Sequence, residues 1–500
     1  MLIFLILSLI FLITRLLNLT LLPVFADEAI YIHWAQVIWH DAANRFIPLS
    51  DGKPPLFMWL MVPFLKVFSD PLLAGRLLSV SSGLSGLIGV YLLTEKLFSR
   101  KVAILASIFV ILQPFLLFYD RLAVVDSMLT TFGVWSFYAA YLLFEKPTIG
   151  KGVILGTLWG GAILTKPTGI YFPLLTPAFI FLFPFKKWPD KIKKLFIPSV
   201  LASGYALGFF NVLRLSPAFH MLGSRSADYM RTTQEFLTNS FEYIPDTAKV
   251  MFLWLVSYFS WWMIPILAAG LISALKKRKK EIGLLFLWIA APFLVQVLIG
   301  KIIYPRYLLI TVPFFLIILS WAILEIFKTP GVIRVNNTRC LLAFLLLGGM
   351  VANWLYFSFW LLTNPAKAPL DHAEKEQYLY EWSAGFGIRE IANYLKSLPK
   401  DKKIAVGTEG YFGTLPNGLQ IYLDGEKNID IFGVGQPIVS FNQKLLDALG
   451  EGKEVYLVVN NTRFKIKQDQ MSQLKLIGEY KKPKGPKGEE KLLFFKFLSP

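Results

Sequence analysis

Two adjacent carboxylates stand early in the sequence, directly after the first apolar run. Asp27 and Glu28 open the segment DEAIYIHWAQVIWHD, and Lys53 follows in GKPP. A carboxylate within hydrogen-bond reach of a hydroxyl can remove its proton. The same pair also suits the first turn of a helix, because Asp caps free amides and acidic side chains favour the positive end of the helix dipole. Both interpretations, catalysis and helix capping, remain open for this pair.

Further polar side chains occur in the short segments between apolar runs. They are His33 after the acidic pair, Arg121 and Asp126 in DRLAVVDS, Lys166 in LTKPTG, and Lys301, Tyr304, Arg306 and Tyr307 in GKIIYPRYLL. A lone Lys or Arg at a helix end usually reaches for the headgroups. Three of these cations, Lys166, Lys301 and Arg306, instead lie in short turns or beside helix breakers. A charge there is costly unless a carboxylate or an anionic ligand compensates it. We expect Lys166 and Arg306 to face a shared cavity.

Carboxylates surrounded by separately anchored cations suit the transfer of a sugar from a polyprenyl phosphate. Fixed Arg and Lys donors can stabilise the charge that grows on the departing phosphate. A carboxylate can take the proton of the acceptor hydroxyl. A site at the membrane rim serves both needs, because the carrier stays in the bilayer while the acceptor arrives from water. This interpretation requires the side chains to meet in one outward-facing cavity.

The composition is that of a membrane protein. Hydrophobic residues make up 55% of the 500 and charged residues only 17%, which is too apolar for a soluble globular chain. The net charge of +18 could indicate a nucleic-acid partner, but residues 364–500 hold 20 Lys and Arg against 17 Asp and Glu. The excess therefore lies around the membrane segments, where topology and anionic lipids explain it, and we expect no nucleic acid to bind. The single cysteine, Cys340, excludes an intramolecular disulfide.

Apolar runs predict eleven membrane-spanning helices, each needing about 20 residues. They lie near 2–22, 72–94, 102–119, 123–144, 150–165, 168–184, 195–213, 249–275, 282–299, 308–326 and 341–362. Lys and Arg are concentrated in EKLFSRK, EKPTIGK, KKWPDKIKK, KKRKK and 327–340, which the positive-inside rule assigns to the cytoplasm. The acidic pair and the C-terminal region then lie on the outer face of the cytoplasmic membrane.

The first outer loop predicts two interfacial helices. In the first, Ile30, Trp34, Val37 and Ile38 fall on one face, so we expect it to lie along the membrane surface. The second is the shorter apolar run Leu56–Phe68, which contains a proline and a lysine.

A soluble α/β domain is predicted over residues 363–500, after a membrane domain over 1–362. Strand-like runs KIAVGT, IDIFGV, EVYLVVN, LKLIGEY and KLLFFKFL alternate with helical stretches at Ile388–Leu398 and Asn442–Leu449. The glycine-rich GTEGYFGTLPNG lacks the GxGxxG spacing and a following helix, so we interpret it as a turn. KKPKGPKGEE is interpreted as a solvated hairpin loop.

Five motifs resemble those of the GT-C membrane glycosyltransferases; in chain order they are DEAIY, GKPPL, DRLAVVDS, LTKPTG and YPRY. The resemblance is to the group of protein O-mannosyltransferases and lipid A aminoarabinose transferases, which is similar to glycosyltransferase family 39. The resemblance covers residues 1–320. It implies a GT-C fold and an inverting transfer of a hexose or pentose from a polyprenyl-phosphate sugar to a lipid, glycan or protein acceptor. The resemblance also implies that the transfer needs no cofactor. A transfer that depends on a divalent metal is the less favoured alternative.

By the same resemblance, Asp27 is the base and Glu28 its neighbour, which orients the acceptor or shifts the pKa of the base. The carrier phosphate would be bound by Lys53, Arg121, Lys166, Lys301 and Arg306. Substrate contacts would come from His33, Asp126, Tyr304 and Tyr307.

A transporter or flippase of a lipid-linked sugar is the alternative function. Against it, the polar residues cluster on one side, and the two halves show no matching pair of broken helices near the middle of the membrane. A non-catalytic receptor leaves the cation-rich turns without a purpose. An enzyme needs one outward cavity open to lipid, whereas a transporter needs a central path.

Overall fold

The structure is a computed structural model that describes residues 2–183, 188–277, 279–328 and 338–498. Internal contacts divide the chain into two compact units. We call the first the helical unit; it comprises Met1–Leu17, Phe46–Phe57 and Leu78–Pro369. The second, the sheet unit, comprises Asn18–Arg45, Met58–Leu77 and Leu370–Pro500. The units are discontinuous in sequence, because two segments of the first predicted outer loop belong with the C-terminal region.

Helices occupy most of the described chain before residue 364. In order they are α1 (Leu2–Leu16), α2 (Ala26–His40), α3 (Leu56–Val67), α4 (Pro71–Leu97), α5 (Arg100–Leu112), α6 (Pro114–Tyr119), α7 (Val125–Glu145), α8 (Ile149–Thr165), α9 (Tyr171–Leu175), α10 (Trp188–Val212), α11 (Ser226–Tyr229), α12 (Thr233–Phe259), α13 (Met263–Lys276), α14 (Lys280–Ile299), α15 (Val312–Lys328) and α16 (Thr338–Thr363). Short 3₁₀ segments join several of them, including Pro305–Thr311 after α14.

Within the described ranges, six helical segments are long and apolar enough to cross a membrane. They are Pro71–Leu97, Val125–Glu145, Ile192–Leu215, Lys280–Ile299, Pro305–Phe327 and Phe344–Thr363. The bent pair Phe241–Phe259 and Met263–Lys276 makes a seventh if it counts as one span. Four further apolar helices are shorter: Leu2–Leu16, Leu56–Val67, Ile149–Thr165 and Pro167–Phe181. The chain is a multi-pass helical membrane protein, and the count of eleven crossings stays a prediction.

Two of the predicted spans are broken by local backbone chemistry. The run 249–275 is not one helix, because α12 and α13 meet at an angle of 101°, and Ser260 between them has a φ of 74°. The run 102–119 is divided between α5 and α6, because Pro114 has no amide hydrogen to continue the helix. The side chain of Gln113 there caps the amide of Phe115 and donates to the carbonyl of Tyr258 at 3.3 Å.

The predicted run 168–184 is the least regular. It consists of the 3₁₀ segments Pro167–Ile170 and Thr176–Phe181 with α9 between them. Three prolines in this stretch each remove a helix hydrogen-bond donor. Of the predicted basic loops, residues 329–337 of 327–340, the first two residues of KKWPDKIKK and residue 278 of KKRKK lie outside the described residues.

A glycine stripe on α8 lets α10 approach its backbone. A Cβ at Gly152 would lie 2.3 Å from the carbonyl oxygen of Pro198, and one at Gly156 would lie 2.4 Å from that of Ala202. Such contacts between small residues four apart are typical of closely packed membrane helices. The stripe fixes α8, whose C-terminal end carries one of the predicted site residues.

The sheet unit contains the remaining elements. They are α17 (His372–Lys375), α18 (Ile388–Ser397), β1 (Ile404–Glu409), α19 (Asn417–Tyr422), β2 (Ile429–Gly435), α20 (Gln443–Gly450), β3 (Glu454–Asn460), α21 (Gln468–Met471), β4 (Leu474–Lys481) and β5 (Lys491–Phe497). All five predicted strands and both predicted helices are confirmed. The short α19, however, follows the glycine-rich segment, so the expectation that no helix follows it was wrong.

The described strands form one sheet with the order β2-β1-β3-β5-β4. β1 is parallel to both β2 and β3, and Ile404 pairs with Ile429 on one side and Glu454 on the other. β5 is antiparallel to β3 and β4, and KKPKGPKGEE connects β4 and β5 as the predicted hairpin. The core includes Leu445 of α20, packed on the inward-facing side chains of the strands.

Helix α2 begins at the acidic pair as predicted, but it is buried on more than one face. Ala29, Ile32 and Ala35 are as fully buried as the predicted apolar face of Ile30 and Trp34. It packs against α19, where Gln36 Nε2 donates to the carbonyl of Ile421 at 2.9 Å. The expectation of one apolar face was therefore wrong for its first three turns, whereas its position along the membrane surface stays a prediction.

The glycine stripe yields a test of the helical unit. Gly156→Ala should destabilise the protein by about 1–3 kcal/mol, because the new methyl meets backbone of α10 that cannot move aside cheaply. Gly204→Ala on α10 is the matched control, since a Cβ there has no atom within 4 Å. Thermal unfolding of the purified protein measures both, and equal midpoints for the two variants would contradict the packing.

Candidate active site

Lys166 and Asp126 form an ion pair at the ends of two neighbouring helices. Lys166 follows the last residue of α8, where Pro167 prevents the helix from continuing. Asp126 lies in the first turn of α7. Lys166 Nζ is 2.7 Å from Asp126 Oδ1, and the carboxylate is buried. The lysine side chain retains 21% of its exposure, so its ammonium is anchored without being sealed off.

The same ammonium lies over one aromatic ring of the YPRY turn, and Arg306 lies near two. Lys166 Nζ is 4.4 Å from the centre of the Tyr307 ring. Arg306 Cζ is 5.1 Å from the Tyr304 ring and 5.9 Å from the Tyr307 ring. Gln296 Nε2 donates to the carbonyl of Tyr307 at 2.9 Å and holds the turn against α14. The structure thus brings Lys166, Asp126, Tyr304, Arg306 and Tyr307 together, and we call these five residues the cationic cluster.

The cationic cluster has the features of an anion-binding site. Lys166 is paired with a carboxylate, and each of the two cations lies near a tyrosine ring, which favours positive charge near its π face. Arg and Lys donors fixed in this way bind phosphate oxygens by charge-assisted hydrogen bonds. The cluster residues come from three separate elements, the end of α8, the start of α7 and the YPRY turn, so the geometry depends on how these elements pack.

Two other predicted cations of the helical unit have different partners. Lys301 Nζ is 3.2 Å from Glu235 in the first turn of α12, and both side chains are exposed. Lys53 Nζ is 3.3 Å from Asp51, whose carboxylate also accepts from Arg225 Nε at 2.8 Å. Asp51 and Arg225 thus form an ion-pair group around Lys53.

Arg121 has a structural task at the end of α1. Its Nη1 donates to the carbonyls of Thr14, Arg15 and Leu17 at 3.2, 3.0 and 2.6 Å, which are free because no further helical turn follows. Whether it also binds phosphate stays a prediction.

The neighbouring Arg15 was not among the predicted site residues, yet it is fully buried in the helical unit. Its Nε is 3.3 Å from Asp120 Oδ2, and its terminal nitrogens donate to the carbonyls of Val110 and Ile111. Asp120 also accepts from Ser127 Oγ at 2.5 Å. This network fastens α1 to α5 and to the segment before α7.

The two carboxylates of the acidic pair have different environments in the sheet unit. Glu28 is completely buried, and its oxygens lie 2.8 and 2.7 Å from Arg76 Nε and Nη2. It also accepts from the amide of Phe25 at 3.0 Å, which is the helix-start role. Asp27 is only half-buried. Of the pair, Asp27 is therefore the more exposed residue.

Arg76 is a residue that sequence reasoning missed. It is fully buried and donates to the carbonyls of Leu19, Leu22 and Pro23, in addition to Glu28. The available signal was its position inside the apolar run 72–94, since an arginine in such a run requires a carboxylate partner.

His33 contacts a side chain of the sheet unit. Asn417 Nδ2 lies 2.8 Å from His33 Nδ1, and burial lowers the pKa of the imidazole. His40, seven residues on, pairs with Asp424 at 2.9 Å. Across the part of the chain that the structure describes, no three His, Cys, Asp or Glu side chains are grouped as a metal site.

The comparisons with known proteins agree with the predicted resemblance. The profile of the family described as dolichyl-phosphate-mannose-protein mannosyltransferase matches residues 52–215, which include GKPPL, DRLAVVDS and LTKPTG. The structure of ArnT from Cupriavidus metallidurans in the apo state matches with a TM-score of 0.59 and 14% identity, over 99% of this chain and 97% of that chain. The chain has the fold of the GT-C membrane glycosyltransferases. No curated protein matches its sequence significantly.

Two further structures share this GT-C fold. ArnT from Cupriavidus metallidurans bound to undecaprenyl phosphate matches with a TM-score of 0.57 and 15% identity, over 98% of this chain and 97% of that chain. The archaeal oligosaccharyltransferase AglB from Archaeoglobus fulgidus, in complex with an inhibitory peptide and a dolichol-phosphate, has a TM-score of 0.51 and 13% identity, over 94% of this chain and 69% of that chain. At such identities the likeness concerns the fold.

Stability measurements can distinguish the roles of the two carboxylates of the acidic pair. Glu28→Ala should cost about 3–5 kcal/mol, because it leaves the charge of Arg76 buried without its carboxylate. Asp27→Asn should leave the midpoint of thermal unfolding nearly unchanged, because Asp27 is half-buried and its replacement keeps the same shape. A Glu28→Ala protein as stable as the wild type would contradict the structural role.

Proposed function

We propose that this protein transfers a sugar from a polyprenyl-phosphate donor to an acceptor on the outer face of the cytoplasmic membrane. The observation that carries the proposal is the cationic cluster, in which Lys166 and Arg306 lie on one tyrosine pair at the ends of apolar helices. Support also comes from the shared fold of an ArnT structure that holds undecaprenyl phosphate.

The cationic cluster would stabilise the leaving group. In the transfer, the bond between the anomeric carbon and the phosphate oxygen breaks, and the electron pair goes to the phosphate. The charge that develops there can be met by Lys166 and Arg306, which the fold has already positioned. Asp126 keeps Lys166 in place, since the two are 2.7 Å apart.

Asp27 would act on the acceptor. Its half-buried carboxylate can take the proton of an acceptor hydroxyl while the oxygen attacks the anomeric carbon, which inverts the configuration in one displacement. Glu28 would not share this task, because its oxygens are used by Arg76 and the amide of Phe25. Its role would be to fix the start of α2, and so the direction of Asp27. No metal enters this scheme.

The role of Asp27 can be tested by turnover. Asp27→Asn should lower the rate of sugar transfer about 10²–10⁴-fold, the usual contribution of a general base, while binding of the carrier is unchanged. Asp41→Asn, at the other end of α2, is the matched control because this exposed residue lies outside the predicted site. Transfer is followed with radiolabelled polyprenyl-phosphate mannose, glucose and arabinose. Full activity of the Asp27 variant would remove it from the role of base.

The role of Lys166 can be tested by binding. Lys166→Gln should weaken the affinity for undecaprenyl phosphate about ten- to hundredfold, the loss expected for one charged hydrogen bond. Lys151→Gln is a matched control at the opposite end of α8, where Nζ donates to the carbonyls of Leu142 and Lys146. Binding to the protein in lipid nanodiscs gives both affinities. Equal weakening in the two variants would indicate a general charge effect and contradict a specific site.

A further inference from the structure

The sheet unit contains a pocket that the proposed transfer chemistry does not use. Its volume is about 250 Å³. Its walls include two aromatic rings and several charged or hydroxyl side chains, among them Tyr380, Glu381, Trp382, Thr462, Lys487 and Glu490. The loop of the β4–β5 hairpin forms one side, and the segment before α18 forms the other.

The pocket lies where the sheet topology favours ligand binding. The chain leaves β1 to form β2 on one side and then returns to form β3 on the other, so β1 and β3 meet at a topological switch point. Ligands of open α/β sheets bind outside the carboxyl ends of strands at such a point. Glu409 ends β1, Asn460 ends β3, and Thr462 of the pocket wall follows two residues later.

Polar side chains at these strand ends converge on Arg463. Glu409 Oε1 accepts from Asn460 Nδ2 at 2.6 Å and lies 3.5 Å from Arg463 Nη1. Gln436 follows β2. In the amide orientation that satisfies its hydrogen bonds, its side-chain oxygen accepts from both terminal nitrogens of Arg463 at 3.2 Å. Arg463 Cζ in turn lies 4.1 Å from the centre of the Trp382 ring. The ends of all three parallel strands therefore fix the aromatic wall of the pocket.

The opposite wall is also held in place. Lys487 Nζ is 2.7 Å from Glu381 and 3.2 Å from Glu376, and Thr462 Oγ1 donates to Glu490 at 2.7 Å. Lys482 Nζ donates to the carbonyl of Glu381 at 2.9 Å. Burial lowers the pKa of this lysine to about 8. Hydrogen bonds and ion pairs within the sheet unit thus connect the side chains of this wall.

The hairpin loop approaches Tyr380 closely. A Cβ at Gly485 would lie 2.9 Å from the ring, so only glycine fits there without a shift. The Tyr380 ring therefore packs against the hairpin loop. It forms the second aromatic surface of the pocket, beside Trp382.

The charges of the lining select against an anionic ligand. Four glutamates line the pocket, against the single Lys487. Glu376 and Glu381 are already paired with that lysine, and Glu489 has Lys481 and Lys491 at 3.9 Å. These lysines compensate part of the negative charge of the lining, and the carboxylates retain lone pairs that can accept from hydroxyl groups. Two aromatic rings supply apolar surface beside them.

We propose that this pocket binds a neutral saccharide, with hydroxyl groups donating to Glu381 and Glu490 and a sugar face resting on Trp382. The lining opposes the negatively charged phosphate of a lipid-linked donor, so the saccharide is the acceptor or a part of it. Naming it the acceptor rests on the proposed function, whereas its binding does not.

The test is a binding measurement on the full chain in lipid nanodiscs, since maltoside detergents would compete. Methyl α-mannoside, cellobiose and chitobiose are the probes, with a tetralysine peptide as the cationic alternative. At least one saccharide should bind saturably, and Trp382→Ala should weaken it about tenfold or more. If that variant does not fold, Glu490→Gln provides the same comparison. Glu451→Gln, an exposed carboxylate after α20, should bind as the wild type does.

Three results would overturn the proposal. They are the absence of binding for every saccharide, binding that is unchanged in the folded pocket variants, and binding of tetralysine alone. Saccharide binding without any sugar transfer by the wild type would refute the proposed function and leave the pocket assignment standing.

Discussion

A charge placed inside an apolar helical protein must have a compensating partner, and this constraint determines how the chain is held together. Arg15 and Asp120 satisfy it within the helical unit, and Glu28 and Arg76 satisfy it within the sheet unit. Removing one member of such a pair leaves an uncompensated buried charge, which is far more costly than losing an exposed ion pair. These pairs join segments distant in sequence, so they also select which segments pack together.

The same constraint separates structural charges from those available to a ligand. The side chain of Arg15 has no exposed surface, whereas that of Lys166 retains 21% although its partner Asp126 is buried. The acidic pair divides in the same way, since Glu28 is sealed by Arg76 and Asp27 is half-buried. Partial exposure beside a fixed partner is what a phosphate site and a general base need, because the group must be positioned and still reachable.

Much of the architecture could be predicted from the sequence. The alternating strands of the C-terminal region and the helix Ile388–Ser397 follow from their hydrophobic periods. The turns that contain Lys166 and Arg306 stand out because charges beside prolines interrupt apolar runs, and the structure brings them onto one tyrosine pair.

The remaining features depend on information that hydropathy does not contain. An apolar run has the same hydropathy whether it is straight or bent, so the turn at Ser260 could not be predicted from it. Ion-pair partners are also hidden, because Glu28 and Arg76 are 48 residues apart in the chain. The burial of α2 depends on α19, which lies nearly 400 residues later, and no local pattern encodes that contact.

The central claim is that the protein uses the cationic cluster to release a polyprenyl phosphate from its sugar. The most direct measurement follows free undecaprenyl phosphate and transferred label together, in nanodiscs that contain the purified protein, an undecaprenyl-phosphate-linked sugar and a membrane extract as acceptor source. The account predicts that one carrier is released for each sugar transferred. A donor that stays intact, or that only moves between the leaflets of proteoliposomes, would contradict it.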